Sequence, residues 1–298
     1  MSSLDEFGLI RRLTEGKQPA ALQKVAGVDT GIGDDAAVAG ITEGFRLVLT
    51  CDTMNEEIHF KQITMRDSDI GFKALTAAVS DIAAMGGIPR YALVSLSMPK
   101  KTAPERVYSI YEGLYEAAGQ WNVMVVGGDT TSCIGGISLA VTVIGEVENG
   151  RALVRSTAKP GDAVFLTGPL GQSAAGLESL LERGISSAQW DTFEAGTDTL
   201  VQSHCRPRPQ IQAGRLLLQS GLCHALNDVS DGLASEAWEI AEASGVGLDL
   251  IEERIPVPDE LYAFAASRGG THLTIFCMAE RITSWSAPLP RSISLSCK

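Results

Sequence analysis

Aspartates recur along this chain where a hydrophobic segment gives way to glycine or to polar residues. Residues 45–50 are followed by Cys51 and Asp52, and residues 123–126 are followed by two glycines and Asp129. Short hydrophobic strands that alternate with helical segments favour an α/β fold, in which ligands collect beyond the carboxyl ends of strands. The sequence therefore predicts strands that deliver aspartates to a common site.

The stretch Gly31-Ile32-Gly33-Asp34-Asp35-Ala36 places two carboxylates next to each other after a glycine-hinged turn. Adjacent carboxylates repel each other unless water solvates them or a hard cation bridges them. Two interpretations are open, a solvated acidic loop and a metal-phosphate site. In the second, Asp35 is a metal ligand, while Asp34 is either a weaker ligand or a residue that shapes the turn.

A helix predicted over residues 69–85 carries Asp81 near its end and stops at Gly86-Gly87. An aspartate among close-packed apolar side chains is costly unless it is paired or binds a cation. Asp81 is therefore either a ligand or a surface charge that points outward beside Ser80.

The third acidic stretch is Asp228-Val229-Ser230-Asp231-Gly232, between a predicted strand at residues 223–229 and a predicted helix. Capping of the helix N-terminus explains one of these side chains. Two carboxylates and a hydroxyl exceed what a cap requires, so Asp228 and Asp231 are candidate ligands.

Length and local composition predict two domains. At 298 residues the chain is longer than one hydrophobic core usually supports. A polar segment at residues 149–160 interrupts the hydrophobic pattern. We expect a first domain at residues 1–149 and a second at residues 150–298.

The charge balance and the spacing of cysteine and histidine argue against several functional classes. A formal charge of −12 disfavours a sequence-independent nucleic-acid binder, which needs a basic surface. The six cysteines and four histidines lack metal-ligand spacing, so neither zinc nor a disulfide framework is expected. Because no apolar run spans a bilayer and no signal-peptide pattern is present, we expect a cytoplasmic protein without membrane contact.

A series of motifs in compatible order and spacing then points to one family. They are residues 31–36, 50–52, 59–60, 73–75, 80–86, 127–131, 150–156 and 228–233. On these motifs the chain resembles the thiamine-monophosphate kinases, a family of the aminoimidazole ribonucleotide synthetase-like superfamily. The Gly-Arg-Ala-Leu-x-Arg-Ser stretch and His59 favour this kinase family over its synthetase relatives.

The resemblance implies an α/β (α+β) chain in which a mixed-sheet N-terminal domain binds metal and ATP and forms a homodimer, followed by an α/β C-terminal domain. It implies ATP-dependent conversion of thiamine monophosphate to thiamine diphosphate. Several Mg²⁺ ions would be held by Asp35, Thr50, Asp52, Asp81, Asp129, Asp228 and Asp231. ATP would contact Gly128, Asp129, Arg155 and Ser230, and the substrate would contact His59.

Phosphoryl transfer depends mainly on positioning and on cancelling phosphate charge, so oxygen ligands for Mg²⁺ and an arginine suit it. Neither GxxxxGK[ST] nor GxGxxG is present. We expect direct in-line attack by the anionic substrate phosphate. Competing interpretations are an ATP-dependent synthetase that uses the same metal site and a chain whose aspartates are merely solvated.

Residues 268–298 depart from the family, whose members continue with a Gly-Gly-Glu-Asp-Tyr-Glu-Leu motif that contacts the substrate. If the codons for residues 277–285 are read in the frame that starts at the third base of each codon, codon degeneracy allows them to encode this motif. We hypothesise a shifted reading frame that begins between about residues 264 and 271. Such a chain would lose core strands and a substrate contact, and a further alternative is that it binds Mg-ATP without turnover.

Overall fold

A computed structural model of the chain describes residues 6–33, 36–184 and 198–268. The chain divides into two compact units, Met1–Ala83 with Gly87–Arg151 and Ala84–Gly86 with Ala152–Lys298. Among the described helices, none has both the length and the apolar character that a bilayer span demands.

The first unit is built on a four-stranded mixed sheet. The chain forms α1 (Glu6–Thr14), α2 (Ala20–Val25), β1 (Val28–Thr30), β2 (Val38–Ala39), β3 (Phe45–Asn55), α3 (Asp67–Ala84), β4 (Ile88–Pro99), α4 (Pro104–Trp121), β5 (Met124–Cys133) and β6 (Ser138–Glu148). The sheet order is β3-β6-β4-β5, and β1 and β2 form a separate ribbon. Strands β4 and β5 are parallel and are connected by α4, while the pairs β3–β6 and β4–β6 are antiparallel. The predicted mixed sheet is confirmed.

Side chains alternate between the two faces of this sheet. On β6, Leu139, Val141 and Val143 are buried on one face, as expected where helices cover a strand. Helix α3 lies on that face, since a Cβ added at Gly145 would come within 2.5 Å of Ile82 Cγ2. We call this the helix face.

The opposite side of the sheet keeps several apolar side chains accessible, and we call it the open face. Leu47 and Leu49 of β3 are 48% and 64% exposed, and Leu93 of β4 is 37% exposed. The intervening strand β6 contributes Thr142 and Ile144, which are half-buried. Part of this face is covered, because Ile144 packs with Val28, Ala26 and Ala37 around Tyr91, whereas Leu47, Leu49 and Leu93 stay exposed among the described residues.

The backbones of helices α3 and α4 are in close contact at two glycines. A Cβ at Gly71 would lie 1.8 Å from Ile110 O, and a Cβ at Gly113 would lie 1.7 Å from Ser68 O. Any larger residue at these positions would push the two backbones apart. Trp121 Nε1 also donates to Thr76 Oγ1 at 3.2 Å, which joins the same two helices.

The described residues of the second unit form five α-helices. They are α5 (Gln172–Arg183), α6 (Thr199–Cys205), α7 (Ile211–Ser220), α8 (Leu233–Ser244) and α9 (Asp259–Ser267), with 3-10 turns at Arg155–Thr157 and Glu252–Arg254. Helices α5, α6 and α9 share a core of Ala175, Leu200, Leu261 and Phe264. Helices α5 and α6 meet closely because Gly176 faces the Leu200 carbonyl oxygen, 2.1 Å from an added Cβ.

Two expectations about elements are wrong. Residues 223–229 pair with no strand in the part of the chain that the structure describes, and the His224 carbonyl accepts a side-chain hydrogen bond from Thr157 Oγ1 at 2.5 Å. Strands β3 and β5 also continue past the expected ends, so that Asp52 and Asp129 lie within them. Their polar segments stay in the ladder because β6 and β4 pair with them along most of their length.

Candidate active site

Thr50 and Asp81 are candidate ligands that the structure brings into direct contact. Thr50 lies on the helix face of β3, and its Oγ1 donates a hydrogen bond to Asp81 Oδ2 on α3. Asp81 is half-buried, so the interpretation of Asp81 as an outward surface charge is wrong. Asp52 is two residues further along the same face and is also half-buried. All three side chains offer oxygen donors, which Mg²⁺ prefers.

Asp129 lies elsewhere, exposed on the open face of β5. The row of paired residues through Asp129 crosses β4 and β6 and ends at Thr53 of β3. Three strand spacings separate the two edge strands by about 14 Å. The first unit therefore does not bring Asp129 together with Thr50 and Asp81.

Gly128 has a structural reason to be glycine. A Cβ at Gly128 would lie 1.9 Å from the Val94 carbonyl oxygen of the neighbouring strand. At Gly127, an added Cβ would meet the Leu93 side chain at 3.1 Å. The glycine pair is thus explained by close strand packing.

The acidic loop at residues 31–37 connects β1 and β2, and both Asp34 and Asp35 lie outside the described residues. Tyr91 holds the chain on either side of this ribbon. Its Oη lies 2.9 Å from Ala26 O and 2.7 Å from Gly40 O, so that one proton is shared between two carbonyls. The chain segments before and after the acidic loop are thereby attached to β4.

A buried ion pair strengthens that attachment. Glu146 of β6, 2% exposed, pairs with Arg90 Nη1 at 2.5 Å. Glu146 also accepts from Thr42 N at 2.9 Å and from Thr42 Oγ1 at 2.7 Å. Arg90 Nη2 donates to Ala26 O at 2.9 Å. Both oxygens of Glu146 accept hydrogen bonds and both terminal nitrogens of Arg90 donate them, so the two charges can be tolerated at low exposure.

His59, the expected substrate contact, is exposed on the loop between β3 and α3. The Asn55 amide donates to His59 Nδ1 at 3.0 Å. Because a backbone N–H can only donate, Nδ1 accepts, and the neutral ring carries its proton on Nε2. The structure therefore provides a donor, His59 Nε2–H, on an accessible ring.

Glu56 anchors the start of that loop. It accepts from Ile137 N at 2.9 Å and pairs with Arg106 Nη1 at 3.1 Å. Partial burial raises the pKa of Glu56, but the Ile137 N–H and the Arg106 guanidinium lower it by more, to below its ordinary 4.5. Arg106 Nε also donates to Asp67 Oδ1 at 3.0 Å, which links the loop to the start of α3.

In the second unit, Ser230 and Asp231 lie in the turn that precedes α8. Glu236 of α8 accepts from Asp231 N at 3.0 Å and from Ser230 Oγ at 3.3 Å, both through Oε1. The N-cap residue of α8 is Gly232, which has no side chain with which to cap. The capping explanation for Asp228 and Asp231 is therefore wrong.

Arg155 is connected to the same turn through Asn227. Arg155 Nε donates to Asn227 Oδ1 at 2.9 Å, and Asn227 Nδ2 donates to Glu236 Oε2. Glu239 Oε2 accepts from Asn227 Nδ2 at 3.2 Å and pairs with Arg155 Nη1 at 2.8 Å. The predicted ATP contacts Arg155 and Ser230 thus belong to one hydrogen-bonded network.

Burial raises the pKa of Glu236. The hydrogen bond from Asp231 N lowers this pKa, and the negative charges of Glu239, Asp228 and Asp231 raise it further. The turn therefore concentrates negative charge that a cation would relieve.

Sequence reasoning missed Asn227, Glu236 and Glu239. A signal for Glu236 was present, since Leu233, Glu236 and Ala237 share one helical face and all three are buried. A carboxylate inside an apolar helical stripe indicates a polar partner. Across the described ranges, the histidine, cysteine and carboxylate side chains form no group of three that could hold a metal.

Comparison with known proteins assigns both halves of the chain to the same family. The model for AIR synthase related protein, N-terminal domain, matches residues 33–147. The model for the corresponding C-terminal domain matches residues 159–280.

Among curated proteins, the thiamine-monophosphate kinase of Bacillus subtilis (strain 168) is 45% identical over 258 residues, which is 87% of this chain and 76% of that protein. That of Salmonella typhimurium (strain LT2) is 35% identical over 256 residues, which is 86% of this chain and 74% of that protein.

Two solved structures are also similar. A thiamine-monophosphate kinase from Stenotrophomonas maltophilia K279a has a TM-score of 0.79 and 32% identity, with 94% of this chain and 84% of that chain covered. A structure described as AaThiL complexed with AMPPCP and TMP has a TM-score of 0.73 and 31% identity, with the same coverage.

Proposed function

The chain belongs to the thiamine-monophosphate kinase family of AIR synthase related proteins, and on this basis we propose that it phosphorylates thiamine monophosphate with ATP. The products are thiamine diphosphate and ADP. The observation that carries the proposal is the similarity, over 94% of this chain, to a kinase structure that holds an ATP analogue and TMP.

The reaction we propose is a direct displacement. A phosphate oxygen of thiamine monophosphate forms a bond to the γ-phosphorus of ATP as the bond from that phosphorus to the bridging oxygen breaks. The attacking oxygen is already anionic, so that no strong base is required. His59 Nε2–H is suited to donate a hydrogen bond to an anionic substrate, because Asn55 fixes the tautomer.

We propose magnesium as the metal, because the candidate ligands are the oxygen donors that this hard cation takes. Asp35, Thr50, Asp52, Asp81 and Asp129 of the first unit and Asp228 and Asp231 of the second would hold several ions. When bound, Mg²⁺ neutralises phosphate charge and orients the transferred group. The half-buried Thr50–Asp81 pair and the acidic turn before α8 both fit a cation.

For nucleotide contact we propose Gly128, Asp129, Arg155 and Ser230. Arg155 is half exposed and presents a guanidinium that suits a phosphate. Ser230 is exposed in the turn that Glu236 holds. Because the reaction consumes ATP, we propose the cytoplasm as its location.

We propose a homodimer that forms through the open face of the first unit. Exposed Leu47, Leu49 and Leu93 form an apolar surface of the kind that marks protein contacts. A second copy is the partner suited to this surface, because the family resemblance implies dimerisation through this domain. Leu49→Lys should convert a dimer into a monomer in sedimentation analysis, while Leu222→Lys, at an exposed site of the second unit, should not. A wild-type monomer at micromolar concentration would refute this interface.

Product analysis tests the activity. Incubation with thiamine monophosphate, ATP and Mg²⁺ should give thiamine diphosphate and ADP in equal amounts. Consumption of ATP with release of inorganic phosphate would favour a synthetase reaction, and Mg-ATP binding without turnover would favour an impaired chain. Asp81→Asn should weaken Mg-ATP binding, whereas the control Asp259→Asn, at an exposed position, should not.

A further inference from the structure

The two proposed nucleotide contacts of the second unit come from separate segments, the 3-10 turn at Arg155–Thr157 and the turn before α8. Two residues without an assigned role connect them. Asn227 accepts from Arg155 Nε at 2.9 Å, and Glu236 receives hydrogen bonds from Asn227, Ser230 and the Asp231 amide.

Glu236 is a buried residue that connects Asn227 to the Ser230–Asp231 turn through hydrogen bonds. Its residue is only 5% exposed, and a buried carboxylate is stable only where its oxygens are satisfied. One oxygen accepts from Ser230 and Asp231, and the other accepts from Asn227. Each oxygen therefore connects to a different side of the network.

Asn227 has a fixed orientation in this arrangement. Its Oδ1 faces the Arg155 donor, while its Nδ2 faces the carboxylates of Glu236 and Glu239. A flipped amide would place an NH₂ group against Arg155 and an oxygen against two carboxylates. Asn227 thus connects Glu236 to Arg155 through one hydrogen bond at each end of its amide, and the position of Glu236 constrains that of Arg155.

We infer that Glu236 and Asn227 are positioning residues that set Arg155 and the Ser230–Asp231 turn in one geometry for Mg-ATP. This inference rests on the proposed function, because it takes Arg155, Ser230 and Asp231 as the groups that meet the nucleotide and its metal. Neither Glu236 nor Asn227 needs to touch the ligand.

Glu236→Gln is the sharpest test, because it keeps the size of the side chain and removes one acceptor. The new amide nitrogen must face either Asn227 Nδ2 or the Ser230 and Asp231 donors, so one side of the network loses its partner. We expect Mg-ATP affinity in calorimetric titrations to fall about tenfold, which equals about 1.4 kcal/mol. The matched control is Glu242→Gln, the same change at an exposed position of α8, and it should bind as the wild type does.

A double-mutant cycle distinguishes positioning from a general loss of structure. In an Arg155→Ala background, Glu236→Gln should weaken binding by clearly less than tenfold, because part of its effect passes through Arg155. Asn227→Ala provides a second, independent break in the network and should show the same coupling. Equal losses with and without Arg155, or wild-type affinity in Glu236→Gln, would overturn the inference.

A spectroscopic readout is independent of nucleotide. The Arg155 Nε–H and Asp231 amide signals in ¹H–¹⁵N spectra should shift and exchange faster in Glu236→Gln and stay unchanged in Glu242→Gln. Failure of the wild type to bind Mg-ATP would refute the proposed function alone, since these signals still test the network. Unchanged signals in Glu236→Gln would refute the network.

Discussion

Gly113→Ala should destabilise the first unit although alanine is the better helix former. The added Cβ would lie 1.7 Å from Ser68 O, whereas relaxed heavy-atom contacts are about 3.5 Å. Helices α3 and α4 would have to separate by about 1.5–2 Å at this point. Overpacking of this kind typically costs about 1–3 kcal/mol or more, and a backbone atom cannot rotate away as a side chain does.

The same helix offers a matched control. Gly119 of α4 is exposed, and an added Cβ would meet nothing within 4 Å. Gly119→Ala should therefore stabilise the unit by up to about 1 kcal/mol, through helix propensity alone. Gly113→Ala carries the same propensity gain, so the cost of the helix contact is its net loss, about 1–2 kcal/mol, plus the gain measured in Gly119→Ala.

Urea unfolding followed by far-UV circular dichroism separates the two outcomes. With equal slopes, Gly113→Ala should lower the midpoint and Gly119→Ala should raise it. The corresponding melting temperatures should move by about 2–4 °C for each kcal/mol. If both variants shift in the same direction, or if Gly113→Ala matches the wild type, close backbone contact does not determine the packing of α3 on α4.

Three further predictions concern charge and the end of the chain. Glu146→Gln removes the charge that faces Arg90 and should cost about 1–3 kcal/mol in urea unfolding; an unchanged midpoint would show that the buried pair does not hold the ribbon. The pKa of Glu56 is lowered in the folded state, so its contribution is present above pH 4.5 and is lost as the pH falls through the lowered pKa. Glu56→Gln, which removes the partner of Arg106, should flatten the acid side of the stability profile, and a profile identical to the wild type would contradict this. For residues 268–298, sequencing of the encoding DNA should show the family motif in the alternative frame, and thiamine diphosphate formation should increase when that frame is restored; stop codons in that frame would end the hypothesis.

Much of the first unit could be predicted from the sequence because its hydrophobic periodicity is strong. The helical pattern that includes Asp81 and the β-branched residues of β6 gave the correct element types. Strand ends were less predictable, since polar residues such as Asp52 look like loop residues. They remain in the ladder because pairing with β6 satisfies their backbone groups.

The network of the second unit could not be predicted from spacing. Arg155, Asn227 and Glu236 meet only because a 3-10 turn, a segment without regular secondary structure and α8 are brought together in space. Sequence patterns report the face of one element, and not which elements meet. A carboxylate in an apolar helical stripe was the one local signal, and it indicates the need for a partner without identifying that partner.

The sheet of the first unit restricts how its candidate ligands can share metal ions. Ligands of one Mg²⁺ lie about 2.1 Å from the ion, so two of them cannot be more than about 4.2 Å apart. Thr50 and Asp129 lie on edge strands about 14 Å apart and on opposite faces. One ion therefore cannot bind both residues of a single copy. Asp129 is exposed on the same open face as Leu49 and Leu93, so the second copy that we propose on this face would also set the surroundings of Asp129.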